Sequence, residues 1–166
     1  MLIDGETHVW ETLAIMEYLA EKFPEKQLWP AATPARAHAR AISSEMHAGF
    51  SALRGECPMN IRRPVRERAL SDAAQANVKR IEEIWSGCRT KYGGPFLFGR
   101  FGAADAMYAP VVARLNTYSI KVSRETRAYM ETVMALPAWG EWREGALAES
   151  WIVPEDEADW PMVLTP

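Results

Sequence analysis

The sequence predicts a mainly α protein, an all-helical domain preceded by a short ββα unit. Three observations lead there. Apolar residues recur at helical spacing over long stretches, in Ile42, Met46, Phe50 and Leu53 and again in Leu70, Ala74, Val78, Ile81, Trp85 and Cys88. Prolines and glycines punctuate those stretches near their ends, at Pro34, Pro58, Pro64 and Gly93-Gly94-Pro95. Strand-like residues around a tight-turn dipeptide occur only at the start of the chain, on either side of Asp4-Gly5.

Taken in order, Leu2-Ile3 and Thr7-His8-Val9-Trp10 read as two strands joined through Asp4-Gly5. Glu11 to Leu19 opens a helix that closes at Phe23-Pro24. One hairpin and one helix bury too little sheet to stand alone, so residues 1–24 read as the end of an α/β domain. Residues 25–33, with Leu28-Trp29-Pro30, form a linker pinned by an apolar anchor. Residues 34–166 then make the helical domain. Its first helix runs from Pro34 to about Glu56 and is stopped by Cys57-Pro58, and its second starts at Pro64, ends near Gly93 and packs on the first. An apolar loop from Phe96 to Phe101 leads into a buried helix in which Pro110 imposes a kink. Ser123 to Leu136 and Pro137 to about Ala148 are two shorter helices, with Trp139, Trp142 and Leu147 expected to pack inward. From Glu149 to Pro166, through the acids between Glu155 and Asp159 and then Trp160-Pro161, no regular element is expected.

The charge pattern excludes some partners. A chain of 166 residues with 19 basic and 22 acidic side chains interspersed, net −3, has no electrostatic footprint for nucleic acid or an anionic membrane. No apolar run has the length of a membrane span, and the N-terminus lacks the basic and apolar regions of a secretion signal, so a cytoplasmic location is expected. Two cysteines, Cys57 and Cys88, do not form a C-x-x-C pair, and three scattered histidines offer no metal-ligand spacing.

Few residues invite chemistry. Glu11 and Thr12 stand at a helix start, where unpaired backbone N–H groups and the positive end of the dipole hold a small carboxylate, the Thr12 hydroxyl adds a donor, and Glu11 attracts an ammonium. Asp105 lies three residues after Gly102, the spacing of a capping box, and is read as a structural cap rather than a catalytic acid. Gly102 lacks the hydroxyl that completes the box. Cys57 ends a helical pattern, which argues against an activated thiol, and Cys88 falls on a core stripe. Arg62, Arg63, Arg66 and Arg68 read as a solvated helix start.

Glu11-Thr12, followed by Ala14-Ile15 and Tyr18-Leu19, resembles a motif of the glutathione transferase family, Glu or Asp, then Ser, then x-Ala-Ile-x-x-Tyr-Leu, with Thr12 in place of Ser. A second family signature, Phe-Ser/Thr-x-Ala-Asp, resembles Phe101-Gly102-Ala103-Ala104-Asp105, and Arg36-Ala37-x-x-Arg40 also fits the first bundle helix. The resemblance covers residues 1 to 148. It implies that residues 1–24 are the last part of a thioredoxin-like glutathione-binding domain and that an all-helical C-terminal domain follows. Glu11 and Thr12 are then expected to hold the γ-glutamyl end of glutathione, and a two-fold homodimer is expected. Glu45-Met46-His47, Gly49-Phe50 and Leu53-Arg54 resemble the helix that faces the second-substrate pocket in some bacterial members, making His47, Phe50 and Arg54 pocket candidates, with Tyr108 a fourth.

The implied chemistry is deprotonation of the glutathione thiol and attack of the thiolate on a small electrophile, with glutathione as co-substrate and no metal. The family's thiol-activating Ser, Tyr or Cys is expected upstream of Met1, so the reading of an enzyme requires a longer N-terminal segment. The alternative is a non-catalytic helical interaction module that pairs its exposed sheet edge with another protein.

Overall fold

The computed structural model describes residues 1–158; the expectation for Asp159, Trp160 and Pro161 lies outside the described residues. Two strands come first, β1 (Leu2–Asp4) and β2 (Thr7–Val9), antiparallel with Leu2 opposite Val9 and Asp4 opposite Thr7. Their two-residue connection places Gly5 at a φ of 60°, which costs a glycine nothing. Helix α1 (Thr12–Lys22) packs on the hairpin, and Tyr18 donates to Asp4 Oδ2 at 2.6 Å while Lys22 pairs with the same carboxylate. The outer hairpin residues Ile3 and Trp10 stay 61% and 68% exposed.

Among the described residues six α-helices follow: α2 (Thr33–Ala48), α3 (Ser51–Glu56), α4 (Asp72–Tyr92), α5 (Ala103–Thr117), α6 (Arg124–Met134) and α7 (Pro137–Ala148). α5 is the centre. Its Tyr108 is fully buried and donates to the Ile42 carbonyl of α2 at 3.2 Å, while the Trp85 ring of α4 lies 5.6 Å from Tyr108 and 4.6 Å from Tyr129 of α6. Such aromatic pairs add specific geometry to the apolar burial that drives folding. The helix runs uninterrupted through Pro110.

The expected single helix over residues 34 to 56 is divided. Its stripe is right, since Ile42, Met46, Phe50 and Leu53 are all buried, but the backbone turns between α2 and α3 with Phe50 in the left-handed region at φ 62°. Gly49 permits this turn: a Cβ there would lie 2.6 Å from the Glu45 carbonyl oxygen. α2 consequently lies chiefly on α5, and α3 takes α4 as its main partner, with Asn77 Oδ1 accepting from Leu53 N at 3.2 Å.

The expected helix start at Pro64 is also corrected. α4 begins eight residues later, where Ser71 accepts from Ala74 N and Asp72 occupies the first turn. Ser71 is the better start because its side chain satisfies a helix donor, whereas Pro64 only removes one. The intervening chain forms no regular element and spends donors elsewhere, Arg66 N on Thr117 O and Arg68 N on Tyr118 O at the end of α5. The arginines are therefore not a solvated helix start. Arg62 binds the carbonyls of Glu149 and Trp151 and so holds the segment after α7. Within that segment Pro154–Asp156 forms one 3-10 turn where no regular element was expected.

In α7, Trp139 packs against the core, but Trp142 and Leu147 are 40% and 44% exposed, contrary to expectation. The helix lies on α6, and no residue of α7 is fully buried.

Candidate functional site

The candidate site is the head of α1 where it meets the last turn of α2. Glu11 caps α1 by its carbonyl, which accepts from Ile15 N at 3.0 Å, yet its side chain caps nothing. Its carboxylate instead reaches across to His47 on α2, Oε2 to Nε2 3.2 Å, a pair charged when the imidazole is protonated. Both side chains are open to solvent, 64% and 40% exposed. Thr12, the first residue of the helix, is exposed beside them. The N–H groups of this first turn therefore receive no acceptor from Glu11, and the dipole leaves partial positive charge there.

Glu11 sits at φ 69°, ψ 126°, a backbone region that a residue with a Cβ seldom occupies and that costs on the order of 1–3 kcal/mol. The surrounding contacts hold it there. Glu17 takes Arg40 of α2 in a two-pronged bond at 2.8 and 2.6 Å, one turn and a half along α1 from Glu11, and Leu13 and Met16 pack on the helical core between. The first helix is thus fixed to α2 at both polar points while its start stays open.

The other candidates separate from this pair. Arg54 donates to Gly49 O at 3.0 Å and to Met46 O at 2.6 Å, so its guanidinium serves the last carbonyls of α2. Phe50 is buried within the same joint. These two are parts of the α2–α3 turn. Tyr108 lies in the interior: with no exposure, its hydroxyl donates to Ile42 O, and burial pushes its pKa up. Ser43 donates to Ala39 O within α2. Of the sequence candidates, the structure brings Glu11, Thr12 and His47 together.

Asp105 is the structural cap. Its Oδ2 accepts from Gly102 N at 3.0 Å, and its Oδ1 accepts from Leu97 N and from the Tyr129 hydroxyl, each at 3.0 Å. Burial raises its pKa against the pull of those three bonds. Gly102 has a reason of its own: a Cβ would stand 2.9 Å from Leu28 O, the carbonyl that accepts from Ala103 N. The linker thus covers the helix start directly. Cys57 and Cys88 are buried free thiols whose pKa values burial pushes up to about 11, which makes both poor nucleophiles.

One feature escaped sequence reasoning. A groove of about 250 Å³ runs between α5 and α7, walled by Phe101, Ala106, Pro110, Val133, Trp139 and Trp142. Its signal in the sequence was the pair Trp139 and Trp142, whose rings meet edge to face at 5.3 Å. Among the described residues no group of His, Cys, Asp and Glu is placed to hold a metal ion, and no helix is long and apolar enough to cross a membrane.

The family model described as glutathione S-transferase, C-terminal domain, matches residues 37–145, from the first turns of α2 into α7. That span is well over half of the chain, and this protein belongs to the glutathione S-transferase family by its C-terminal domain. The mainly helical architecture with a short strand pair at the N-terminus agrees with it.

Proposed function

We propose that this chain is a glutathione-binding member of its family whose head of α1 holds the γ-glutamyl end of glutathione. The observation that carries the reading is the open, strained start of α1, with Glu11 turned away from its own helix and paired to His47 at 3.2 Å. A γ-glutamyl group carries one ammonium and one carboxylate. Glu11 takes the ammonium; the first-turn N–H groups and the Thr12 hydroxyl take the carboxylate. His47 keeps the Glu11 carboxylate directed across the helix start rather than folded back as a cap, and in this role it is a positioning residue. Glutathione held there is the thiol donor for transfer to a small electrophile: the S–H proton is lost to a base, a sulfur–carbon bond forms, and the leaving group departs with its electron pair. Glu11, Thr12 and His47 supply binding and orientation. A two-fold homodimer, as the family suggests, forms part of the same proposal.

A second reading has its own observation. Ile3 and, just past β2, Trp10 are largely exposed at a sheet that has two strands among the described residues, and the edge of such a sheet suits pairing with another protein. Calorimetry with glutathione separates the two. Saturable binding that Thr12→Ala weakens about tenfold and Glu11→Ala weakens further supports the proposal. Unchanged affinity in Thr12→Ala removes that residue from the site, and absence of glutathione binding in the full chain leaves the interaction module.

A further inference from the structure

The apolar groove of about 250 Å³ between α5 and α7 takes its walls from α5, α6, α7 and the chain beside them, and none from α1 or α2. Its volume is just under the ~300 Å³ at which sites for drug-sized ligands begin, which suits a molecule of one ring. Three aromatic side chains line it. Trp139 and Trp142 meet edge to face at 5.3 Å, and the Phe101 ring is held edge to face by Phe96 at 5.5 Å. Phe101 and Trp142 are 42% and 40% exposed, so both keep aromatic surface open to an incoming ring.

The α5 wall carries a polar feature that the side chains do not. Pro110 lies inside α5 and has no N–H, so the Ala106 carbonyl, four residues earlier, loses the donor that an uninterrupted helix gives it. Ala106 and Pro110 share one face of the helix, both are half-buried, and both line the groove. The carbonyl between them is therefore an acceptor on the groove wall whose helical partner is missing. None of the side chains lining the groove is charged. An uncharged wall with aromatic rings and one backbone acceptor complements a neutral aromatic ring bearing one donor.

We propose that this groove binds a small neutral phenol, its ring among Phe101, Trp139 and Trp142 and its hydroxyl donating to the Ala106 carbonyl. The site is independent of the head of α1 and of the glutathione reading. The test is a titration of the full chain with phenol and, separately, with toluene, which keeps the ring and lacks the donor. Binding is followed by nuclear magnetic resonance at the Trp142 indole N–H, a signal identified by its absence in Trp142→Phe. The decisive variant is Pro110→Ala, which returns an N–H to α5 and so occupies the Ala106 carbonyl without removing any bond of the fold. The expected result is a saturable shift with phenol whose affinity Pro110→Ala lowers about threefold to tenfold, while toluene changes less than twofold. Absence of a saturable shift with phenol overturns the proposal, and so does an equal change for phenol and toluene in Pro110→Ala. Self-association of the ligand-free chain in sedimentation that Trp142→Ala abolishes assigns the groove to a second copy and overturns it as well.

Discussion

The helices α5 and α1 each have an acidic residue at their start, and they use it in opposite ways. At the head of α5 the carboxylate of Asp105 is 1% exposed, returns to Gly102 N, and collects Leu97 N and the Tyr129 hydroxyl as well. At the head of α1 the carboxylate of Glu11 leaves its own helix, faces solvent and pairs with His47 on another element. The first start is closed by the protein and stabilises the fold. The second is kept open at the cost of backbone strain, which is the arrangement a ligand requires. The two acids thus teach that an acidic residue near a helix start is not informative by type. Which N–H groups it satisfies decides its role.

Removing the closed cap has the largest expected effect. Asp105→Ala leaves two backbone N–H groups and a buried tyrosine hydroxyl without their acceptor, and is expected to cost roughly 3–5 kcal/mol in a urea unfolding experiment. Glu11→Ala, by the same measurement, is expected to change stability by less than about 1 kcal/mol. Equal losses at the two positions would erase the distinction between them.

Gly102→Ser sharpens the comparison. By local rules a serine improves a helix start, since its hydroxyl accepts the donor that glycine leaves. Here its Cβ meets Leu28 O at 2.9 Å, a backbone atom with little freedom to withdraw, so the substitution is expected to destabilise by about 1–3 kcal/mol. A gain in stability would show that the linker yields and that the close approach is not what demands glycine.

At the open start the expected sign reverses. Glu11→Gly removes the Cβ responsible for the strain at φ 69° and is expected to raise stability by roughly 1 kcal/mol while abolishing glutathione binding in calorimetry. Strain retained for binding has this signature, in which the fold improves as the site is lost.

How much of this was legible in the sequence depended on how local the interaction was. The box between Gly102 and Asp105 spans three residues, and the start of α1 is a contiguous motif, so both were readable. The stripe through Ile42, Met46, Phe50 and Leu53 was also readable, yet it is equally consistent with one helix or two. What divides it is the approach of Gly49 to the Glu45 carbonyl and the reach of Arg54 back to Met46 O, and apolar periodicity records neither. Arg62 was less accessible still. Its partners Glu149 and Trp151 lie 87 and 89 residues away, and nothing in a run of arginines indicates which distant carbonyls it will hold. The Glu11–His47 pair stands between these cases: each residue was a candidate alone, and only the packing of α1 on α2 joined them.

The smallest expected effect concerns a histidine that, unlike His47, is drawn into the protein. His38 of α2 bonds Tyr92 through Nδ1 at 2.9 Å and lies against the Phe98 ring, edge on at 5.6 Å. Burial, aided by the nearby Lys91 charge, lowers its pKa below the ordinary 6.5. A depressed histidine binds its proton more readily in the unfolded chain than in the folded one. Between the lowered value and 6.5 the unfolded state therefore holds more protons, and stability rises with pH through that window. The contribution is fully present above pH 6.5 and is lost as the pH falls through the folded value. His38→Gln keeps a group able to bond Tyr92 but cannot titrate, so it is expected to remove that part of the acid sensitivity, by less than about 1 kcal/mol, when unfolding midpoints are compared at pH values above and below 6.5. An acid sensitivity that His38→Gln leaves unchanged would show that burial against Tyr92 and Phe98 does not couple this histidine's proton to folding.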